Sequence, residues 1–382
     1  MDQILFVTRE CNLKCHYCYI EKHANTLMSE ETAFKAVDLL LSQNEETKKA
    51  RLSFFGGEPL INFDVVKKTT KYAVEEAAKK NIAISFSIAT NGTLITPEII
   101  DFLEKYKFTV ELSLDGNEIA NNLNRPFLDG TGSYKNITKN LKELYKRAHH
   151  LVAIAVLSPL SAPYIYESSK HVMDELGIKN FVISMDYTGK WTEKDLMILK
   201  EQYELLSEWY LEKTRKGDSL FYYSLFDIHI AAHVRGGFKP GSFCDVGRNI
   251  YAVAEDGRIF PCVRFAGKPV KAAKYLLGDV RTGLNMRSCK EISDENLKER
   301  TECKGCALDG RCITYCPCLN WDTTGKFNSV SGLLCAHESM IVPLADKLAK
   351  TLYEEKDPVF MRKHYKKKIE KVSELEIGGN NE

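Results

Sequence analysis

Short apolar runs alternate with amphipathic stretches through the first half of the chain. Runs rich in Ile, Val, Leu and Phe are typical of buried strands, and the amphipathic stretches between them are typical of helices. The predicted strands are Ile4–Thr8, Arg51–Phe55, Ile82–Ile88, Phe108–Leu114, Leu151–Leu157 and Phe181–Met185. Repeated β–α alternation implies a parallel sheet with right-handed crossovers. Six strands rather than eight predict an α/β fold of the partial (β/α)6 TIM-like barrel type, with its active site where the strands end.

Residues that cap helices mark the boundaries between these runs. Ser29 precedes two glutamates and Thr96 precedes Pro97, so both predict helix N-termini. Gly177 predicts the end of the helix before the sixth strand. A longer amphipathic pattern predicts a helix from Thr192 to about Arg215.

The pattern changes near residue 236, which predicts a second domain. Gly236 to Gly241 is rich in glycine and includes a proline, as linkers often do. Tyr251–Ala254, followed by Glu255-Asp256-Gly257, predicts a strand that enters a hairpin turn. Met340–Glu355 predicts a helix with Pro343 near its start.

The charged tail from Lys366 to Glu382 is predicted to be solvated and poorly ordered. The predicted units are the barrel in residues 1–235, a smaller cysteine-rich α+β domain in 236–350, and a C-terminal helix and tail in 351–382.

Composition and charge narrow the class of protein. The chain has 53 basic and 52 acidic residues, and its net charge of +1 argues against nucleic acid or an anionic membrane as a partner. No apolar run approaches the roughly 20 residues of a membrane span, and no signal peptide is recognisable. Twelve cysteines in clusters indicate metal ligation in a reducing compartment. We therefore expect a cytoplasmic protein.

Three cysteines follow the first predicted strand. Cys11, Cys15 and Cys18 have C-x3-C-x2-C spacing, and thiolates this close together can ligate one [4Fe–4S] cluster. Three thiolates leave one of the four irons open to another ligand. A zinc site is the alternative, because zinc takes four ligands and His16 or His23 could supply the fourth.

This spacing, with Tyr17 directly before the last cysteine, resembles the signature of radical S-adenosylmethionine enzymes. The resemblance implies that the open iron chelates the amino and carboxylate groups of S-adenosylmethionine. It also implies cleavage of that cofactor to methionine and a 5′-deoxyadenosyl radical, which takes a hydrogen atom from substrate. The backbone of Tyr17 would then lie near the adenine; packing of its ring in the core is the alternative.

Gly56-Gly57-Glu58-Pro59 follows the second predicted strand. Two glycines let the backbone approach a ligand closely, and Glu58 can accept hydrogen bonds from an ammonium group. The tetrapeptide resembles the Gly-Gly-Glu-Pro motif of the same family, which implies that it holds the methionine amino group.

Three further positions at strand ends resemble family positions that line the cofactor pocket. They are Asn91, Ser113 and Asp115. Arg125 matches the arginine that pairs with the cofactor carboxylate. Peptide-modifying relatives usually carry His-Asp shortly before this arginine, and here Asn121 and Asn122 stand in those places.

Seven cysteines and a glycine follow a second pattern in the later part of the chain. In order they are Cys244, Gly257, Cys262, Cys303, Cys306, Cys312, Cys316 and Cys335. The order and spacing resemble the SPASM domain, which implies two auxiliary [4Fe–4S] clusters. The implied ligands are Cys244, Cys262 and Cys316 for the first cluster, and Cys303, Cys306, Cys312 and Cys335 for the second. A pair of zinc ribbons is the alternative.

Two cysteines, Cys289 and Cys318, fall outside that pattern. Either could complete the first auxiliary cluster, which is one ligand short; otherwise that cluster keeps an open iron, or both are buried thiols. His229 and His233 have helical metal-ligand spacing, but their apolar neighbours favour ordinary packing.

The whole pattern resembles radical SAM oxidoreductases that modify peptides. The leading hypothesis is a maturase that installs a thioether or carbon–carbon cross-link in a ribosomally made peptide. It would use S-adenosylmethionine, three [4Fe–4S] clusters, and an external reductant of the flavodoxin or ferredoxin type.

The rival hypothesis is an anaerobic sulfatase maturase, which forms formylglycine in a protein substrate. In those enzymes an Asp that serves as a base directly follows the second auxiliary cysteine, and here Val263 stands there. Asp245 and Asp279 are the weaker candidates for a base. A third hypothesis, a non-catalytic iron–sulfur or zinc-binding scaffold, would have no need of the Gly-Gly-Glu-Pro motif or Arg125.

Overall fold

The computed structural model describes residues 2–21, 26–217, 221–238, 244–268, 271–314 and 316–365. Within these ranges the strands are β1 (Asp2–Thr8), β2 (Lys49–Gly56), β3 (Ala83–Thr90), β4 (Thr109–Ser113), β5 (His150–Leu157), β6 (Asn180–Met185), β7 (Tyr222–Tyr223), β8 (Ile250–Val253), β9 (Arg258–Phe260), β10 (Gly278–Asp279) and β11 (Gly283–Leu284). The helices are α1 (Glu30–Ser42), α2 (Phe63–Lys79), α3 (Pro97–Lys105), α4 (Glu118–Asn124), α5 (Tyr134–Thr138), α6 (Leu141–Arg147), α7 (Ile165–Lys170), α8 (Glu193–Arg215), α9 (Ser224–Arg235), α10 (Val263–Ala266), α11 (Met286–Leu297), α12 (Pro317–Thr324) and α13 (Gly332–Glu354).

The six predicted strands are confirmed as β1 to β6. They pair in parallel in sequence order, each with the next, so the predicted α/β fold with a parallel sheet is confirmed. Helices connect successive strands of this sheet. The C-terminal ends of the strands therefore meet at one edge, where the loop of Cys11, Cys15 and Cys18 leaves β1.

The two faces of the parallel sheet differ in burial. On β2 and β5 every second residue is buried, and most residues between them are half-exposed. Leu52, Phe54 and Ala153 belong to the buried set. An open barrel produces this alternation because helices cover its convex face while solvent reaches its concave face.

The predicted helix boundaries are confirmed where a capping side chain is present. The Ser29 hydroxyl accepts from the Thr32 N–H at the start of α1, and the Thr96 hydroxyl accepts from the Ile99 N–H at the start of α3. At the start of α8, Thr192 forms a reciprocal capping box with Asp195.

One sheet runs from the barrel into the cysteine-rich part of the chain. The predicted hairpin forms as β8 and β9, and β8 also pairs in parallel with β1, from Asp2 opposite Ile250 to Leu5 opposite Val253. Of the predicted linker 236–241, residues 239–241 lie outside the described ranges, as does the tail 366–382. The division into domains at residue 236 stays a prediction. The pairing of β1 with β8 connects the parts of the chain before and after that residue.

The prediction for α13 was wrong at its start. The helix begins at Gly332, where the Ser331 hydroxyl accepts from the Leu334 N–H, and Pro343 lies inside it. Proline usually indicates a helix start, but the long apolar face of α13 packs on α8 and α9. Among the described helices, none combines the length and the apolarity that a membrane crossing requires.

Asp227 on α9 holds the C-terminal segment against the barrel. Its side chain is 1% exposed, accepts from the Tyr210 hydroxyl at 2.6 Å, and pairs with the Lys363 ammonium at 2.6 Å. Burial pushes the pKa of Asp227 upward, but His364, Lys363 and Tyr210 outweigh it, so the pKa lies below its usual value.

We expect Asp227→Asn to lower the free energy of unfolding by about 3 kcal/mol, because it leaves the Lys363 ammonium without its carboxylate. A lowered carboxyl pKa stabilises the fold above the unfolded-state pKa, and this contribution is lost as pH falls through the folded-state value. In urea unfolding, the difference in the free energy of unfolding between wild type and Asp227→Asn should therefore become smaller below about pH 4. A difference that stays constant from pH 7 to pH 3 would contradict this role.

Candidate functional site

The cysteine loop is attached to the segment that follows α4. The Lys14 N–H donates to the Pro126 carbonyl at 2.8 Å, and the His16 N–H donates to the Asn124 carbonyl at 3.0 Å. All three cysteines of the loop are free thiols; Cys11 and Cys15 are half-buried and Cys18 is exposed. These backbone bonds place the loop beside Arg125.

The two glycines after β2 attach the loop on its other side. The Gly57 N–H donates to the Thr8 carbonyl at 2.9 Å, and the Glu58 N–H donates to the Glu10 carbonyl at 2.9 Å. A Cβ atom on Gly57 would lie 2.2 Å from the Glu10 oxygen, and one on Gly56 would lie 2.3 Å from the Thr8 oxygen. The close approach that these glycines allow is to the backbone that enters the cysteine loop.

Glu58 is fully buried and joins the ends of β2 and β3. Its carboxylate accepts from the Leu60 N–H at 3.0 Å, the Thr90 hydroxyl at 2.7 Å and the Asn91 N–H at 2.7 Å. Burial raises the pKa of Glu58 to about 7. Pro59 begins the short helical turn that Glu58 caps. The predicted contact of Glu58 with the methionine amino group stays a prediction. The structure shows that the Glu58 carboxylate already accepts three hydrogen bonds from the protein.

Asn91 connects β3 to the cysteine loop. Its amide nitrogen donates to Asn12 Oδ1 at 2.9 Å and lies 3.8 Å from Cys11 Sγ. The Leu13 N–H donates to the same sulfur at 3.4 Å. N–H groups directed at a cysteine sulfur are typical of iron–sulfur ligands. Sequence reasoning missed Asn12, because no local pattern distinguishes a loop asparagine that faces another strand.

Asp115 and Arg125 form a buried ion pair that also includes Tyr17. Asp115 accepts from Arg125 at 2.9 Å, from the Val156 N–H at 2.9 Å and from the Tyr17 hydroxyl at 2.6 Å. The Arg125 guanidinium lies 5.3 Å from the centre of the Tyr17 ring. Burial raises the pKa of Tyr17 well above its usual value, so the phenol keeps its proton.

The asparagines in place of the family's His-Asp pair support this ion pair. Asn121 is fully buried, accepts from the Asp115 N–H at 3.3 Å and donates to the Ser133 hydroxyl at 3.2 Å. Asn122 accepts from the Tyr134 N–H at 2.9 Å. The neutral side chains of Asn121 and Asn122 can therefore hold the Arg125 segment in place without a second carboxylate.

The donors at this edge fit the predicted cofactor. Arg125 Nε is buried and has no hydrogen-bond acceptor among the described residues, so it is available to a carboxylate. Ser113 is half-buried at the end of β4. Both residues lie at the strand edge that carries the cysteine loop.

Zinc is the alternative metal for the cysteine loop. Among the described residues, no three His, Cys, Asp or Glu side chains converge closely enough to share one metal ion. A cluster of four irons is larger than one ion, so its thiolates lie farther apart. His16 is exposed, and His23 lies outside the described ranges.

The four cysteines predicted for the second auxiliary cluster surround one cavity. Cys303, Cys306, Cys312 and Cys335 line a space of about 350 Å³ near the start of α13. Burial raises the pKa of Cys303, Cys312 and Cys335, so these thiols are neutral without a cation. The position of the thiols around a cavity fits a metal cluster.

The cysteines predicted for the first auxiliary cluster also lie near one another. Burial, and then Cys262 and Cys316, raise the pKa of Cys244 to about 12. A hydrogen bond from Cys318 lowers the pKa of Cys262 to about 7. Cys289 is buried at a different place, beside Tyr251. Of the two additional cysteines, the structure brings only Cys318 to this group.

The candidates for a base and the histidine pair have other partners. Asp245 accepts from the Asn249 side chain, and Asp279 pairs with Arg281 at 2.6 Å. His229 Nδ1 lies 3.4 Å from the Arg311 carbonyl oxygen, and burial lowers its pKa to about 4. His233 lies 3.4 Å from Asp346. These contacts are those of ordinary packing and surface ion pairs.

We expect Arg125→Lys to weaken S-adenosylmethionine binding about tenfold, because lysine keeps a charge for Asp115 but lacks the free Nε donor. Equilibrium dialysis of the reconstituted protein with labelled cofactor measures this. Arg147→Lys, at a surface ion pair of α6, is the matched control and should bind normally. Unchanged affinity in Arg125→Lys would remove Arg125 from the cofactor site.

The chain is similar to proteins of one superfamily. The sequence profile of the Radical SAM superfamily matches residues 5–167. An uncharacterized protein of Methanocaldococcus jannaschii is 30% identical over 250 residues, which cover 61% of this chain and 85% of that protein.

Two characterised relatives are more distant. The radical SAM cyclopropyl synthase TigE of Paramaledivibacter caminithermalis is 24% identical, over 82% of this chain and 66% of that enzyme. The cysteine-type anaerobic sulfatase-maturating enzyme of Clostridium perfringens is 24% identical, over 80% of this chain and 85% of that enzyme.

Two solved structures share the fold. Native anSMEcpe with bound AdoMet has a TM-score of 0.75 at 22% identity and covers 92% of this chain and 98% of that one. Streptococcus suis SuiB bound to its precursor peptide SuiA has a TM-score of 0.56 at 18% identity, over 87% of this chain and 75% of that one. The cysteine loop at the strand edge, the profile match and these relatives lead to one conclusion: the chain belongs to the Radical SAM superfamily, whose enzymes use S-adenosylmethionine and a [4Fe–4S] cluster.

Proposed function

We propose that this enzyme is a maturase that modifies a peptide or protein by radical chemistry. The observation that supports the radical chemistry is the buried Arg125, whose Nε has no acceptor among the described residues, beside a loop of three free thiols. The similarity to a sulfatase-maturating enzyme and to a structure with a bound precursor peptide supports the class of substrate. Cys11, Cys15 and Cys18 are the proposed ligands of the first cluster. When bound there, the cluster supplies the electron that cleaves S-adenosylmethionine to methionine and a 5′-deoxyadenosyl radical.

The residues around the loop have distinct proposed roles. Arg125 and Ser113 hold the cofactor carboxylate, with Asp115 and Tyr17 fixing the guanidinium. The Gly56–Pro59 segment and Asn91 hold the methionine amino group and the loop itself. Most of these groups are buried, which limits the access of water to a reactive radical at this site.

The cysteine-rich part of the chain is proposed to be a SPASM domain that binds two auxiliary [4Fe–4S] clusters. Cys244, Cys262 and Cys316 belong to the first set, and the cysteines around the 350 Å³ cavity belong to the second. These clusters would accept an electron from the oxidised substrate. An external reductant of the flavodoxin or ferredoxin type would supply the electron for cofactor cleavage.

The proposed product is a thioether or carbon–carbon cross-link in a ribosomally made peptide. The peptide loses two hydrogens for each cross-link. One would leave as a hydrogen atom to the 5′-deoxyadenosyl radical and the other as a proton, and an auxiliary cluster held by the cysteines named above would supply the acceptor for the remaining electron. Val263 directly after Cys262 supports this product over formylglycine, since Asp245 and Asp279 are both engaged elsewhere.

Sulfatase maturation is the second candidate. The relatives supply a specific reason: the similarity to anSMEcpe extends over 98% of that chain, whereas the similarity to SuiB extends over 75% of that one. A base other than the residue after Cys262 would then be required.

One experiment separates these candidates. The reconstituted protein is incubated with S-adenosylmethionine, dithionite and either a short peptide encoded beside its gene or a cysteine peptide from a sulfatase. A cross-linking enzyme removes only hydrogen from the first peptide, and a sulfatase maturase replaces sulfur by oxygen in the second. If no 5′-deoxyadenosine forms under either condition, the protein is an iron–sulfur carrier and the proposal fails.

A further inference from the structure

A cavity of about 300 Å³ lies on the concave face of the barrel, and it reaches the first residues of β1 and β8. Its walls come from the first four strands, from β8 and from the start of α10. The residues that define it are Ile4, Arg51, Ser53, Glu111, Ile250 and Val263. The cavity therefore borders both the barrel and the residue that follows Cys262.

The cavity lies directly below the proposed cofactor site. Glu111 and Ser113 are two residues apart on β4, and residues two apart on a strand share one face. Ala89, which also lines the cavity, stands in the same relation to Asn91. Two residues of a strand span about 7 Å. A substrate group in this cavity would thus lie one layer beneath the residues assigned to S-adenosylmethionine.

Arg51 and Glu111 form an ion pair at the wall of this cavity, without a hydrogen bond, and their side chains are 43% and 29% exposed. The closest nitrogen and oxygen are 3.6 Å apart, which is too long for a hydrogen bond. Neither side chain has a hydrogen-bond partner elsewhere in the described part of the chain. The Asp115–Arg125 pair, by contrast, is closed at 2.9 Å. Arg51 therefore keeps free donors, and Glu111 keeps free acceptors, at the wall of the cavity.

Apart from Asp2 at the start of β1 and two serines, the remaining walls are apolar. Ile4, Phe55 and Val263 supply aliphatic and aromatic surface, and the Ser53 and Ser87 hydroxyls bond to each other at 2.8 Å. A pocket with apolar walls and a few convergent polar groups takes a ligand with an apolar stem and a polar end.

The charges of Arg51 and Glu111 determine which polar group of a ligand fits beside them. A carboxylate beside Arg51 would be repelled by Glu111 and by Asp2, which also lines the cavity, and an ammonium or guanidinium beside Glu111 would be repelled by Arg51. A neutral amide avoids both repulsions. A primary carboxamide has an N–H on the same side as its carbonyl, so it accepts from Arg51 and donates to Glu111 together, whereas a trans peptide group makes one of these two bonds. Burial raises the pKa of Glu111 while Arg51 lowers it, in agreement with a carboxylate that depends on its cationic neighbour.

We propose that Arg51 and Glu111 form an amide-binding site in the barrel, which positions a carboxamide side chain or a peptide group of the substrate below the cofactor. This inference rests on the proposed function for the identity of the substrate as a peptide. It assigns the two residues a role in binding and no part in the chemistry of cofactor cleavage.

The test uses four small probes of equal size and the anaerobically purified holoenzyme. Propionamide represents a side-chain amide, N-methylacetamide a peptide group, propionate an anion and propionamidinium a cation. Saturation-transfer NMR titrations rank their affinities. We expect one of the two amides to bind about tenfold more tightly than either ion, because each ion meets a like charge. The tighter amide identifies the source, side chain or backbone.

Charge-changing variants show whether the two residues set this ranking. Glu111→Gln should make propionate the tightest probe, and Arg51→Gln should make propionamidinium the tightest. Arg147→Gln, which changes a surface ion pair on α6, should keep the wild-type ranking. Thermal unfolding of each variant checks that it is folded.

The inference is overturned if the amides have no advantage in wild type, or if the folded Glu111 and Arg51 variants keep the wild-type ranking. Formation of 5′-deoxyadenosine by the wild-type enzyme is measured separately. A failure of that cleavage counts against the proposed function, whereas the ranking of the probes counts for or against the amide site alone.

Discussion

Cys15→Ala is expected to abolish the formation of 5′-deoxyadenosine from S-adenosylmethionine. Cys15 is the middle thiol of a loop whose backbone is bonded to the Arg125 segment on one side and to the end of β2 on the other. Two remaining thiolates would hold a [4Fe–4S] cluster poorly, and no histidine of the described loop is turned inward to replace the third. Chromatography of the reaction with dithionite measures the product, with a loss of at least about a hundredfold expected.

Cys289→Ala is the matched control for that variant. Cys289 is also a free cysteine, but it is buried beside Tyr251, away from the cysteine loop. Its replacement should leave the initial rate of cofactor cleavage near the wild-type value. Cleavage at the wild-type rate in Cys15→Ala would show that the loop does not hold the catalytic cluster.

Gly57→Ala is expected to lower the free energy of unfolding by about 3 kcal/mol and to disturb the cysteine loop. The added Cβ would lie 2.2 Å from the Glu10 carbonyl oxygen, and backbone atoms cannot move aside as a flexible side chain can. The shift would break the bonds from Gly57 and Glu58 to the start of the loop. Urea unfolding and the iron content of the reconstituted protein measure the two effects.

Gly332→Ala is the control for this substitution, because a Cβ there has open space and the residue lies in the first turn of α13. It should unfold within about 0.5 kcal/mol of wild type. If Gly57→Ala matched it in stability and in iron content, the tight contact between β2 and the loop would have no importance for the site.

The parallel sheet and several helix boundaries could be predicted from sequence because their signals are local. Each buried strand is an apolar run. The start of α8 is indicated by Thr192, which forms a capping box with Asp195 three residues later. The pairing of β8 with β1 could not be predicted, because nothing in the sequence of residues 2–5 indicates that they pair with residues 250–253. The prediction for the start of α13 is wrong because Pro343, a residue typical of helix starts, lies inside a helix that begins after the cap at Ser331.

The candidate site also has features that the sequence predicts and features that only the folded chain creates. The cysteine spacing and the Gly-Gly-Glu-Pro motif could be recognised in the sequence by their resemblance to a family. The three donors to Glu58 and the closed Asp115–Arg125 pair depend on strand ends that meet only in the folded chain. Arg51 and Glu111, whose closest nitrogen and oxygen are 3.6 Å apart, are separated by 60 residues in the sequence, and only the folded barrel brings them together.

The most direct test of the account is the state of the metal at the cysteine loop. The anaerobically purified protein is analysed for iron, sulfide and zinc, and its Mössbauer spectrum is recorded with and without S-adenosylmethionine. The account predicts iron and sulfide, and a change at one iron of one cluster when the cofactor is added. Zinc in place of iron, or a spectrum that the cofactor leaves unchanged, would contradict it.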